Sequence, residues 1–146
     1  MDQQGPSPAL FFDTISGHER TEALRTAIEL DLFTLVADGQ RTAAQLARAC
    51  QASTRGVRIL ADYLTVLGFL RKRDDQYELT PDSEAFLVRR SPAYLGGTVD
   101  FLLTAELRAC FQNLAAAVRR GGTARRGMPP GGRAGHFFSR IGGAEM

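Results

Sequence analysis

The sequence predicts a mostly α-helical fold, a winged helix-turn-helix with a two-stranded wing and extra apolar helices at its N- and C-terminal ends. Three observations lead there. Apolar residues recur at helical spacing in three consecutive segments between Thr21 and Leu67, each closed by a turn signal. Two short strand-like runs, at 69–73 and 77–79, flank the turn Asp74-Asp75-Gln76. Apolar helical stripes precede and follow this unit.

Ala9-Leu10-Phe11-Phe12-Asp13-Thr14-Ile15 reads as a short apolar helix ending near Gly17. From Thr21, the spacing of Leu24, Ala27 and Ile28, then Leu32, Phe33, Leu35 and Val36, predicts a helix with a break near Asp31 and a stop at Asp38-Gly39. Thr42-Ala43-Ala44-Gln45 fits a capping box, in which threonine and glutamine side chains satisfy each other's free amides, and opens a short helix carrying Leu46, Ala47 and Cys50. Val57, Leu60, Ala61, Leu64 and Leu67 predict a helix over 54–67, with Gly68 as its terminator. After the wing, Thr80-Pro81 and Ser91-Pro92 each read as a capping side chain followed by proline at the first helical position. A long final helix is expected from about Tyr94, with Leu103, Leu107, Cys110, Phe111, Leu114 and Val118 on one stripe, fraying at 119–122.

The folded domain is therefore expected over 9–120 and a disordered Gly/Arg-rich tail over 121–146. Residues 119–146 hold eight glycines and six arginines, too little apolar surface to offset the entropy of ordering them. Charge follows the same division. Those residues carry six basic groups against Glu145, whereas residues 1–118 hold 12 basic and 15 acidic side chains, so the folded part is mildly acidic. Such a module starts at a disadvantage on phosphate backbones. Cys50 and Cys110 lack the spacing of a zinc site or a disulfide framework and read as small buried apolar residues. No run reaches the length of a membrane span and the N-terminus lacks the pattern of a signal peptide, so no membrane association and a cytoplasmic location are expected.

The helix over 54–67 decides between function classes. A DNA-reading helix buries one face and turns a basic one to the major groove. Here Ile59, Tyr63 and Val66 extend the apolar surface to an arc on the order of 200°, leaving Arg55, Arg58, Asp62 and Thr65 for solvent. Asp62 would repel a phosphate, and Asp74 and Asp75 offset Arg71, Lys72 and Arg73 on the wing. Two readings of Ile59, Tyr63 and Val66 stand side by side: packing under the chain's own end helices, or contact with another subunit. A winged-helix DNA-binding regulator remains the alternative class, with nucleic acid disfavoured as a partner.

The run Ala27-Ile28-Glu29-Leu30-Asp31-Leu32-Phe33, then Arg41-Thr42-Ala43-Ala44-Gln45-Leu46-Ala47, Leu60-Ala61-Asp62-Tyr63-Leu64, Leu67-Gly68-Phe69-Leu70 and Tyr77-Glu78-Leu79-Thr80-Pro81 resembles a known family. It is similar to the N-terminal dimerisation domain of S-adenosylmethionine-dependent O-methyltransferases of the acetylserotonin, plant phenolic and polyketide-tailoring kind. Residues 91–97 and 117–123 continue the likeness. The resemblance implies a homodimer in which the first helices cross between subunits. It also implies a downstream Rossmann-like domain that binds S-adenosylmethionine and supplies a histidine base.

No strand followed by a glycine-rich turn and a helix occurs in this sequence, and Gly96-Gly97 has no strand before it. No catalytic, cofactor-binding or metal-binding residue is therefore assigned, His18 and His136 included. The chain is expected to be truncated before the cofactor domain and to have no catalytic activity alone. The tail from about Thr123 departs from the family pattern and reads as an out-of-frame product of a GC-rich gene, with a functional basic tail as the rival reading. Dimerisation is the expected function, through Leu10, Phe11, Phe12 and Ile15 on the first helix, Ile59, Tyr63 and Val66 on the second apolar face of the helix over 54–67, and Leu103, Leu107 and Phe111 on the last helix. A full-length methyltransferase is the other partner considered.

Overall fold

A computed structural model describes residues 5–121. The described residues divide into two compact units, one ending at Phe101 and the other beginning at Leu102. In the first unit, α1 (Ala9–Ile15) passes through Ser16 into α2 (Gly17–Glu29), α3 (Leu32–Ala37), α4 (Ala43–Ala49) and α5 (Thr54–Leu67). The hairpin of β1 (Leu70–Arg73) and β2 (Gln76–Leu79) follows, then α6 (Pro81–Phe86) and α7 (Gly96–Leu102), whose last residue opens the second unit. That unit contains α8 (Ala105–Gln112) and α9 (Leu114–Arg120).

Local chemistry sets most boundaries. The Thr42 hydroxyl accepts from the Gln45 amide at 3.2 Å while Gln45 Oε1 accepts from the Thr42 amide at 3.1 Å, so the capping box forms in full and opens α4. Gln51, at φ 55°, turns the chain from α4 towards α5, where Ser53 Oγ accepts from the Gly56 amide. Gly68 ends α5 at φ 95°, a backbone conformation that suits a residue without Cβ, and the next amide, that of Phe69, reaches back to the Leu64 carbonyl at 2.9 Å. The hairpin pairs Leu70 with Leu79 and Arg73 with Gln76, leaving a two-residue turn in which Asp74 and Asp75 both have positive φ. This is the left-handed turn whose twist suits a two-residue antiparallel connection.

The core lies between α2, α3, α4, α5 and the wing. Ala27, Leu32, Phe33, Val36, Leu46, Ala47, Val57, Ala61, Leu64, Leu70 and Tyr77 form one buried cluster, and the Phe33 and Phe69 rings meet edge to face at 6.2 Å. The segment after α6 is tied back to α3. Arg89 donates to Asp31 through its guanidinium and to Thr34 Oγ1 through its amide, and Arg90 bonds Asp38 at 2.7 Å. The winged helix-turn-helix expected from the sequence is thus the fold observed.

Several details differ. The first helix ends just before Gly17, as expected, but the next one begins at Gly17, ahead of Thr21, because Ser16 keeps a right-handed helical backbone and its carbonyl accepts from Arg20. Thr80 does not cap α6 with its side chain; its hydroxyl bonds the Phe69 carbonyl and Ser83 instead, leaving proline as the start signal. Ser91-Pro92 starts no helix: the Ser91 hydroxyl is donated to the Ala85 carbonyl and accepts from the Ala93 amide, which holds a turn. The single long final helix is three short ones, interrupted around Thr104, whose hydroxyl caps α8 at the Leu107 amide, and again at Asn113. Cys50, the C-cap residue of α4, and Cys110, on α8, are half-buried where full burial was expected. Apart from Gly121, the tail expected over 121–146 lies outside the described residues.

Candidate functional site

A helix of seven residues, α1, contains no buried residue at all. Leu10, Phe11, Phe12 and Ile15 are 79%, 62%, 60% and 56% exposed, although they are the residue types most strongly driven from water. The Phe11 and Phe12 rings touch each other edge to face, with centroids 5.4 Å apart, and form one aromatic ridge. The principal neighbour of α1 is α2, reached through Ser16.

The second apolar face lies on α5. Ile59, Tyr63 and Val66 stand at i, i+4 and i+7, one stripe of the helix, and Ile59 and Val66 are well exposed while Tyr63 is half-buried. The opposite stripe, Val57, Ala61 and Leu64, is buried in the core. Of the two readings open from the sequence, packing under the chain's own helices does not account for Ile59 and Val66. In the second unit Leu103 is half-buried and Phe111 partly exposed, whereas Leu107 is buried and offers little surface.

Asp62, expected to face solvent, is engaged. Its Oδ1 accepts from the Tyr77 hydroxyl at 2.6 Å and from Lys72 Nζ at 2.8 Å, and the same ammonium lies 5.2 Å from the centre of the Tyr77 ring. The sequence reading missed this because the partners sit 10 and 15 residues away on the wing. The bonds from Lys72 and then Tyr77 hold the Asp62 carboxyl below its ordinary value. Burial, followed by the bond to Asp62, pushes the Tyr77 phenol up. The bond to Asp62 likewise raises the Lys72 ammonium. The central cation of the Arg71-Lys72-Arg73 run therefore ties the wing to α5 and is compensated within the chain.

This network makes a pH prediction. A depressed carboxyl contributes stability that is present above its unfolded value, about 3.9 for aspartate, and is lost as pH falls through the lower folded value. Thermal melts of the wild type and of Asp62→Asn should differ by a constant amount above about pH 5 and converge as pH drops below about 4. A pH-independent gap would show that the ionised carboxylate contributes nothing.

Among the described residues no group of His, Cys, Asp and Glu stands ready to hold a metal ion, and no helix is long and apolar enough to cross a membrane. The described strands are one antiparallel pair, with no parallel strand leading through a glycine turn into a helix, so no described residue is assigned to S-adenosylmethionine.

A model of the O-methyltransferase dimerisation domain matches residues 12–89. The tetracenomycin polyketide synthesis 8-O-methyl transferase of Streptomyces glaucescens is 36% identical over 102 residues, 69% of this chain and 30% of that protein. A solved structure from Nostoc punctiforme, assigned as an O-methyltransferase, superposes with a TM-score of 0.79 at 44% identity, covering 84% of this chain and 37% of that one. Human N-acetylserotonin methyltransferase, solved in complex with SAM, superposes at 0.71 with 26% identity, covering 97% and 42%. The chain thus spans about a third of the length of the relatives it matches. The buried helix-turn-helix core, the wing and the unburied aromatic helix all fall within or beside the matched segment, and the chain belongs to the O-methyltransferase dimerisation-domain family.

Proposed function

We propose that the chain associates as a homodimer through α1 and the Ile59–Tyr63–Val66 face of α5, and that Leu103 and Phe111 of the second unit contribute a contact of their own. The observation that carries this reading is α1 itself: four large apolar side chains, each more than half exposed, on a helix that buries nothing. A contiguous apolar ridge of this kind marks an association surface, in contrast to apolar residues scattered singly. Leu107 is left out of the surface because it is buried.

S-adenosylmethionine belongs to this proposal only as the ligand of a catalytic domain outside the described residues, and methyl transfer to a small-molecule hydroxyl as the activity of the whole enzyme. The role assigned to residues 5–121 is to bring two such subunits together. Light scattering at several protein concentrations and two salt levels tests it. The expected result is a dimer mass that does not change with salt, because the surface is apolar. A monomer at every concentration would sink the proposal.

A further inference from the structure

An open cavity of about 300 Å³ lies between α2, α6 and the start of α7, all within the first unit. Leu24, Ile28, Phe69, Phe86, Leu95 and Val99 supply its apolar lining. The Ser83 hydroxyl at its wall is already donated to the Phe69 carbonyl at 2.6 Å, so it presents no free donor to a polar ligand. Asp82, exposed at the rim, is the one charged residue of the lining. Phe86 and Leu95 are also exposed, which leaves the mouth of the cavity greasy and bordered by a single negative charge.

The sequence beyond Gly121 contains a segment with the matching chemistry. Its large apolar residues are Met128, Met146 and one cluster, Phe137, Phe138 and Ile141. A Phe-Phe pair occurs twice in the chain, and each time isoleucine follows three residues later and glycine two after that: Phe11-Phe12, Ile15 and Gly17, then Phe137-Phe138, Ile141 and Gly143. The two motifs differ in charge. Asp13 and Thr14 of the first are Ser139 and Arg140 in the second, so towards Asp82 the second brings a cation where the first brings an anion. An exposed ion pair contributes little affinity, but it selects between two otherwise similar occupants.

We infer that Phe137, Phe138 and Ile141 dock in the α2–α6–α7 cavity of their own chain, with Arg140 facing Asp82. Fifteen residues separate Gly121 from Phe137. At about 3.3 Å each they span up to roughly 50 Å, against a radius of gyration of about 13 Å for a domain of about 100 residues, so the motif can arrive at any face. A tether of this kind holds the motif at an effective concentration on the order of millimolar, which favours the same chain over a second copy in dilute solution. The docking uses no residue of α1 or of the Ile59–Tyr63–Val66 face and holds for a monomer and a dimer alike. It gives the tail a role carried by its apolar cluster, that of a built-in cover for the cavity.

Crosslinking of the full chain tests the docking. In a Cys50→Ala, Cys110→Ala background, Thr98→Cys places a thiol on α7 beside the lining residue Val99, and Ser139→Cys places one inside the tail motif, while Asp82 and Arg140 are both kept. The double-cysteine chain is treated at low concentration with a short bismaleimide, and the link within one chain is quantified by mass spectrometry. The expected yield is several-fold above that of a chain with Arg48→Cys, on α4, in place of Thr98→Cys. Phe137→Asp with Phe138→Asp should bring it down to that reference; Arg140→Glu should lower it, and adding Asp82→Arg should restore it. No excess over the Arg48→Cys reference, or an excess that survives Phe137→Asp with Phe138→Asp, overturns the docking. A yield indifferent to Arg140→Glu overturns the facing of Arg140 on Asp82. A mixture of the two single-cysteine chains that yields as much covalent dimer assigns the cavity to a second copy's tail and overturns docking within one chain.

Discussion

Replacing Phe11 and Phe12 together with aspartate is expected to convert the dimer to a monomer while leaving the fold intact. Neither ring supports the core, since both are about 60% exposed within one chain. Fully burying a phenylalanine contributes roughly 1.5–3 kcal/mol. Four rings per dimer, each with about three fifths of its surface still to be covered, give about 4 kcal/mol at the lower bound, before any charge has been forced into the contact. Every 1.4 kcal/mol is tenfold, so the dissociation constant should rise about a thousandfold or more. Sedimentation or light scattering would show the change, and circular dichroism would show whether the core has survived. An unchanged dimer mass would mean that α1 lies outside the interface.

The opposite pattern is expected at Phe33. This side chain is 1% exposed, lies in the central cluster and meets Phe69 edge to face. Truncation to alanine removes the buried ring and leaves a void beneath α3 that close-packed neighbours cannot fill, a change that costs about 3–5 kcal/mol in comparable cores. Small domains have only about 5–15 kcal/mol of stability, so Phe33→Ala should lower the urea midpoint sharply or abolish folding. Together the two variants separate the hydrophobic residues that make the domain from those that make the assembly. A Phe33→Ala chain with a wild-type urea midpoint would contradict the core described here.

Much of this fold was legible in the sequence because its signals are local. The Thr42–Gln45 box, the apolar spacing from Val57 to Leu67 and the terminator Gly68 each act within a few residues, and each element stands where those signals put it. The details that differ share another origin. Thr80 and Ser91 have the composition of helix caps, but their hydroxyls are claimed by the Phe69 and Ala85 carbonyls, through packing that no short window contains. The final stripe from Leu103 to Val118 keeps helical periodicity across two interruptions, so spacing alone predicted one helix where Thr104 and Asn113 divide it. The Asp62–Tyr77 bond escaped for the same reason, since it joins a helix to a strand across a hairpin.

The brevity of α1 has a kinetic consequence. Seven residues make fewer than two turns in all, little more than the costly nucleus, and isolated helices shorter than about 12–15 residues are marginal in water. With no buried side chain of its own, α1 is held within one chain only at its helical junction with α2, and covering its apolar face by a second copy should order it further. If α1 forms the proposed interface, assembly and the winding of this helix should be thermodynamically coupled. Dilution should unwind it, its amides should exchange at a rate set by protein concentration, and encounter between subunits should be slower than for two preformed faces.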